Sequence, residues 1–303
     1  MPSGTIIKGI GGFYYVLSDD DGIYECKARG IFRKDELTPL VGDRVSFSVT
    51  DSSRKKGNIE TIQARSSVLE RPAIANIDRL IAVIAVKSPQ PDMLLLDKML
   101  VTAGKKEISA VICINKTDLD DGNAMEIIGG PYIRAGYRVI GTSSVNNTGF
   151  DELREVLTGH ISVFAGQSGV GKSTLLNRIL NTMVMETGEI SRKIERGRHT
   201  TRHAELISLA DGGFVADTPG FSLFELSDVT YEELQYYYPE FREHIEKCRY
   251  AGCSHISEPG CSVKTAVDNK QASSERYARY TELYSILKQK DEMKYRKGMR
   301  KKT

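Results

Sequence analysis

The sequence has no run approaching the ~18 consecutive apolar residues that a membrane helix needs. Its N-terminus lacks the basic start, long apolar core and small-residue cleavage site of a secretory signal. A soluble, cytoplasmic protein with no membrane partner is expected. Cysteine is scarce, five in 303 residues. In a reducing compartment these are not expected to pair as disulfides. Three of them gather late in the chain beside a histidine, a grouping that favours metal. Charge of one sign is lacking too: the formal net charge is +2, which names no partner. The basic excess sits at the end, where Lys288, Lys290, Lys294, Arg296, Lys297, Arg300, Lys301 and Lys302 face Asp291 and Glu292. Such a tail can seek phosphates or simply be a solvated helix end. Length and an apolar fraction of 40% predict two or three domains with packed cores.

The chain is organised around Gly166-Gln167-Ser168-Gly169-Val170-Gly171-Lys172-Ser173-Thr174, a G-x-x-x-x-G-K-S phosphate-binding pattern. An apolar strand, Ile161–Ala165, precedes it, and Leu175, Leu176, Ile179 and Leu180 follow at helical spacing. In that strand–loop–helix context, glycines let successive N–H groups converge on one centre, and the helix adds the positive end of its dipole. Lys172 is placed to neutralise β- and γ-phosphates and Ser173 to ligate magnesium. The bland alternative is a glycine-rich turn.

Earlier in the chain, Leu80–Val86 and Ala110–Ile114 read as buried strands with a helix at Met93–Ala103 between them. Asn115-Lys116-Thr117-Asp118 closes the second strand. Asp118 can accept from the ring N–H and exocyclic amine of guanine, a donor pair adenine lacks, and an unsatisfied buried carboxylate costs a few kcal/mol. Asn115 can bond the base edge and brace the loop, while the Lys116 stem lies along the ring. A strand at Arg138–Gly141 leads to Thr142-Ser143-Ser144, a polar turn able to support the base through backbone groups. After the phosphate loop, Glu195 to Thr201 reads as a mobile loop in which Thr200 or Thr201 ligates magnesium. Neighbouring strands follow at His203–Ala210 and Gly213–Ala216. The second ends in Asp217-Thr218-Pro219-Gly220, placing Asp217 by the magnesium shell and the Gly220 N–H by the γ-phosphate. These are the elements of a GTPase in rotated order, workable if the usual ends of the domain lie close together.

Residues 1–67 read as five short strands: Thr5–Ile10, Phe13–Leu17, Gly22–Ala28, Arg44–Val49 and Gly57–Gln63. A small barrel of oligonucleotide-binding (OB) type fits them. Tyr14, Tyr15, Tyr24, Lys27, Arg29, Phe32, Arg33 and Lys34 can either contact nucleic acid or fill and coat the barrel. Arg65 to Pro72 reads as a linker. At the far end Cys248, Cys253, His255 and Cys261 offer three sulfurs and one imidazole, a donor set suited to one structural zinc ion. Cys26 and Cys113 read as core. Glu232–Glu246 and Ser274–Arg300 read as helices, the second with a packing stripe of Tyr277, Tyr280, Leu283, Tyr284 and Leu287.

This order of motifs, with a barrel before and a Cys/His cluster after, resembles the circularly permuted ribosome-assembly GTPases of the RsgA family over nearly the whole chain. The resemblance implies three domains: an OB-type barrel at 1–67, a permuted α/β GTPase domain at 68–225 and a helical zinc-binding domain at 226–303. It implies a bacterial, cytoplasmic, monomeric protein that binds the immature small ribosomal subunit and its rRNA and hydrolyses GTP to GDP late in subunit maturation. It also implies His199 as the residue serving hydrolysis, because Phe221 stands where many G proteins carry a water-orienting Gln. Gly169 stands where potassium-stimulated G proteins carry Asn. The alternatives are an RNA-binding G-protein adaptor with little hydrolysis, which Phe221 favours, and a GTPase of RNA modification.

Overall fold

The computed structural model describes residues 1–20, 22–29, 32, 37–70, 72–183, 204–217, 226 and 228–300, with the side chains at 181–183, 217 and 295–300 outside that description. The first five strands are β1 (Ser3–Ile10), β2 (Phe13–Ser18), β3 (Ile23–Ala28), β4 (Arg44–Asp51) and β5 (Lys56–Ile62). They close in the order β1-β2-β3-β5-β4-β1, with β3 and β5 parallel and the other pairs antiparallel. Alternation turns Ile6, Val16, Tyr24, Cys26, Val45, Phe47 and Ile59 inward. The Tyr24 and Phe47 rings pack with centroids 5.0 Å apart. The barrel thus consumes several side chains that could have contacted nucleic acid. Tyr24 and Phe32 are buried, Tyr14 and Tyr15 are half-buried, Lys27 lies over the Phe13 ring, and Arg29 pairs with Glu60 at 2.5 Å. Arg33 and Lys34 lie outside the described residues.

The expected linker is instead folded. Arg65 reaches back to the fully buried Asp43 with bonds of 2.7 and 2.8 Å and to the Thr38 carbonyl. After it β6 (Val68–Glu70) pairs with β7 (Ala73–Ala75) as a hairpin against Val41. A buried carboxylate demands a partner, and this one lies 22 residues away in sequence, where local composition does not reveal it.

The second unit alternates β8 (Arg79–Ala85), α1 (Met93–Lys105), β9 (Ser109–Asn115), α2 (Gly130–Arg134), β10 (Arg138–Thr142), α3 (Phe150–Leu157), β11 (Ile161–Ala165), α4 (Lys172–Met183), β12 (Glu205–Ser208) and β13 (Phe214–Asp217). The sheet runs β10-β9-β8-β11-β13-β12, parallel throughout except for β12. Helices cover both faces, so the strands are apolar on both sides. Leu80, Ala82 and Ile84 face Leu96, Met99 and Leu100 of α1. Ile81, Val83 and Ala85 face Leu153 and Leu157 of α3 and Leu175 and Ile179 of α4. The first of these cores runs on into the barrel through Ile74 and Ile77. At the sheet edge, β12 pairs with β1 at Lys8 and Glu205, whose side chains form a half-exposed ion pair at 3.4 Å.

The third unit holds α5 (Arg242–Ile245), α6 (Ser262–Asp268) and α7 (Ser274–Arg300). The helix expected at Glu232–Glu246 is broken into turns at Leu234–Tyr237 and Pro239–Phe241 and the single turn of α5. Pro239 offers no N–H to a continuing helix and drives Tyr238 into an extended conformation. Along α7, Tyr280, Leu283 and Leu287 are buried and Tyr277 and Tyr284 pack beside them, as the stripe predicts. This unit is joined to α1 by charge. Asp97, buried on α1, accepts from Arg276 at 2.6 Å, Arg279 at 2.5 Å and the Tyr132 hydroxyl at 3.0 Å. Arg276 also bonds Glu240 and lies between the rings of Tyr132 and Tyr238, 4.5 and 4.9 Å from their centroids. Lys105 pairs with Glu233 and Lys106 with Asp228. Among the described residues no helix is long and apolar enough to cross a membrane.

Candidate functional site

The phosphate loop leaves the carboxyl end of β11 and enters α4, which Leu175 and Ile179 anchor in the core. Two of its glycines are required by their neighbours. Gly166 has φ +148°, and a Cβ there would lie 2.0 Å from the Val83 carbonyl oxygen on β8. Gly171 has φ +98°, and a Cβ would lie 2.4 Å from Asn115 Nδ2. The second contact already shows that the two nucleotide motifs touch. The Lys172 ammonium donates to the carbonyls of Gly166 and Gln167 at 2.7 and 2.9 Å, which folds it back over the loop. Burial pushes the Lys172 pKa below its usual value, a penalty that an anion in the loop would offset. Ser173 and Thr174 are exposed at the start of α4.

Parallel β8, β9 and β10 bring the second motif to the same sheet end. Asn115 is buried at the end of β9; its Nδ2 donates to the Val170 carbonyl at 2.8 Å, and its Oδ1 accepts from Thr142 Oγ1 at 3.0 Å. The Cys113 thiol lies 3.2 Å from that same hydroxyl. Lys116 turns through a left-handed conformation, and its ammonium donates to the carbonyls of Gly169, at 2.8 Å, and Ser88. Thr117 donates to the Thr142 carbonyl at 3.2 Å. Asp118 is half-buried and accepts from Ser143 Oγ at 2.6 Å. One arrangement therefore gathers a glycine-rich loop at a helix start, an ammonium and an oriented carboxylate. Chemically it can hold a polyphosphate at one end and a ring carrying adjacent donors at the other.

Thr142 and Ser143, named in the sequence for their backbone groups, join this network chiefly through their hydroxyls, and Ser88, not named there, through its carbonyl. The polar run after β10 was a signal, but an unspecific one; Ser88 had none. Asp217 ends β13, which pairs with β11 beside the phosphate loop. Thr218, Pro219, Gly220, Phe221, His199, Thr200 and Thr201 lie outside the described residues.

The second candidate site is in the third unit. The ligand atoms of Cys248, Cys253, His255 and Cys261 all lie within 4.8 Å of one another. Cys248 and Cys261 sulfurs are 4.0 Å apart, and His255 Nδ1 is 3.3 Å from the Cys261 sulfur. A tetrahedral zinc with Zn–S near 2.3 Å separates its sulfurs by about 3.8 Å, so the donor set fits. His255 Nε2 meets the Gln235 Oε1 at 2.8 Å. Because that oxygen only accepts, the proton belongs on Nε2 and Nδ1 faces the sulfurs. Burial holds His255 below its usual pKa and pushes Cys253 up to about 12 and Cys261 upward. A cation among them supplies the charge that thiolates need there. Burial would raise Glu258, but donors from Ser254, Ile256 and its own backbone hold it down to about 2 while it pins the intervening loop. Tyr277 and Tyr280 donate to the carbonyls of His255 and Ser254, tying the cluster to α7. Gln235 carried no local sign in the sequence, since it precedes the first cysteine by 13 residues.

Comparison with known proteins places these features together. Residues 62–227 match the model of the RsgA GTPase and residues 3–59 that of the RsgA N-terminal domain. The chain is 56% identical over 289 residues to the small ribosomal subunit biogenesis GTPase RsgA of Ruminiclostridium cellulolyticum, covering 95% of this chain and 94% of that one. It is 48% identical to the protein of the same name from Alkaliphilus metalliredigens, covering 95% and 98%. Two crystal structures share the architecture. YloQ, a circularly permuted GTPase, superposes with a TM-score of 0.82 at 38% identity, covering 96% of each chain. YjeQ from Thermotoga maritima superposes with 0.81 at 36% identity, covering 94% of this chain and 98% of that one.

Proposed function

Since the chain belongs to the RsgA family of circularly permuted GTPases, we propose that it binds the small ribosomal subunit and hydrolyses GTP there late in subunit maturation. The reaction is GTP + H2O → GDP + phosphate. The observation that carries this reading is the direct bonding of the base loop to the phosphate loop, Asn115 to Val170 and Lys116 to Gly169. A single nucleotide spans both.

In this proposal Asp118 accepts from the two guanine donors, with its carboxylate aimed by Ser143. Asn115 and Lys116 fix the distance between the base and phosphate ends. Thr117 ties the base loop to β10. The backbone of Gly166 to Thr174 surrounds the phosphates, and Lys172 exchanges its two carbonyls for phosphate oxygens. Magnesium, when bound, neutralises charge developing on the phosphates; Ser173, Thr200, Thr201 and Asp217 are the side chains assigned to it, and Gly220 N–H to the γ-phosphate. His199 is assigned to orient the attacking water. Cys248, Cys253, His255 and Cys261 hold one structural zinc ion. The barrel at 1–67 and the helical domain at 226–303 meet ribosomal RNA on either side of the GTPase domain at 68–225, in a cytoplasmic monomer. Phosphate contacts would make that association salt-sensitive.

The test is the GTPase rate with and without purified small subunits. Strong stimulation is expected. A rate that stays low under both conditions, with GTP still bound, favours the adaptor reading that Phe221 keeps open. Asp118→Asn should shift preference from guanosine to xanthosine nucleotides, because the amide offers a donor where xanthine has its second carbonyl.

A further inference from the structure

The four candidate zinc ligands are not equally sheltered. Cys253, His255 and Cys261 are buried, whereas Cys248 is half-buried at the surface of the third unit. Its chain neighbours Lys247 and Arg249 are exposed cations. A partly exposed sulfur in positive surroundings is where a thiolate meets electrophiles. The sulfurs also differ in their bonds. Cys261 stands at the N-cap of α6 and accepts from the Lys264 N–H at 3.5 Å. Such bonds draw off electron density that a nucleophile needs. Among the described residues no N–H group reaches the Cys248 sulfur, which faces the His244 carbonyl at 3.7 Å and His255 Nδ1 at 3.6 Å. The Cys261 sulfur lies 4.0 Å from it, close enough to trap an oxidised neighbour.

We propose that Cys248 is a modification site, at which hydrogen peroxide opens the zinc site through a disulfide to Cys261. The inference rests on the zinc reading above. The Cys248 thiolate attacks a peroxide oxygen; an S–O bond forms, the O–O bond breaks, and a sulfenic acid and hydroxide result. The Cys261 thiolate then attacks the Cys248 sulfur. The S–S bond forms, the S–O bond breaks and a second hydroxide leaves. The two sulfurs together lose the electron pair that the peroxide gains. Only Cys253 and His255 then remain as ligands, too few for a closed tetrahedral site. The effect reaches α7, because Tyr277 and Tyr280 are bonded to the carbonyls of His255 and Ser254 within the cluster. Cys26 and Cys113 serve as internal controls: burial pushes their thiols up to about 11 and about 12, so they lack the thiolate that peroxide needs.

The test uses the full-length chain loaded with zinc and treated with hydrogen peroxide in small steps. A chromophoric chelator reads released zinc, dimedone traps the sulfenic acid, and peptide mapping by mass locates both the trap and the disulfide. Zinc should leave as peroxide is consumed, about one ion per chain. Dimedone should mark Cys248 first, Cys26 and Cys113 should stay unmarked, and a thiol reductant with added zinc should restore the site. Cys248→His keeps a zinc ligand at that corner without an oxidisable sulfur. It should release zinc roughly tenfold more slowly. Should that variant fail to hold zinc, the mapping of the natural chain decides alone. A first label on Cys253 or Cys261, a disulfide joining any other pair, or zinc retained after Cys248 is oxidised overturns the proposal. A chain that carries no zinc before peroxide is added overturns the zinc reading and this inference with it.

Discussion

The GTPase domain meets its two neighbours through apolar cores, and only one of the two junctions also carries buried charges among the described residues. Toward the barrel the junction is an apolar core continuous through Ile74 and Ile77, a ladder contact between β1 and β12, and the half-exposed pair Lys8–Glu205. Toward the C-terminal domain, apolar packing of Val101 and Leu94 of α1 into that domain's core surrounds a buried set of charges centred on Asp97, Arg276 and Arg279, braced by Tyr132, Tyr238 and Glu240. Apolar burial is non-directional. Buried charges hold only while each bond keeps its geometry. The C-terminal domain is thus held on α1 by directional bonds as well as packing, whereas the barrel is held by packing, one ladder contact and a half-exposed ion pair.

Four measurements sharpen or break this contrast. The largest effect is expected from metal removal. Structural zinc contributes on the order of 10 kcal/mol of folding free energy. A strong chelator should therefore unfold the C-terminal domain, exposing it to protease, while the barrel and sheet persist; an unchanged proteolysis pattern would remove the metal from the account. Next comes Asp97→Ala, which leaves two buried guanidinium groups short of a partner. About 3–5 kcal/mol should be lost in urea unfolding, with early release of α7. Tyr132→Phe deletes one hydroxyl from the same network and should cost about 1 kcal/mol. Glu205→Ala, at the barrel junction, should cost less than about 1 kcal/mol, and less again at high salt. If Glu205→Ala proves as damaging as Asp97→Ala, the two junctions do not differ in kind.

Much of this was legible in the sequence. The barrel strands and the parallel strands stand within a few residues of their expected bounds, because alternation and continuous apolar runs are local signals. So is α7, whose tyrosine and leucine stripe spans the observed contact face. The phosphate and base motifs were visible because each needs particular residue types in unbroken order. What stayed hidden depends on distance. Asp97 reads as one acidic residue in an apolar helix until Arg276 and Arg279, some 180 positions later, arrive beside it. Gln235 has no mark of a ligand's partner, and Arg65 reads as linker until Asp43 claims it. The helix expected at Glu232–Glu246 failed for a local reason that could have been read: Pro239 lies inside it.

The relay from Cys113 through Thr142 and Asn115 to Val170 has a further consequence. In the proposed reading it would assemble the nucleoside end of the pocket from the protein's own bonds, so that folding has already met the entropy of arranging it. A pocket preset in this way is blind to how many phosphates its ligand carries. In the proposed reading, a preference between the triphosphate and the diphosphate would then arise chiefly at the other end, where Lys172 would exchange the Gly166 and Gln167 carbonyls for an incoming anion.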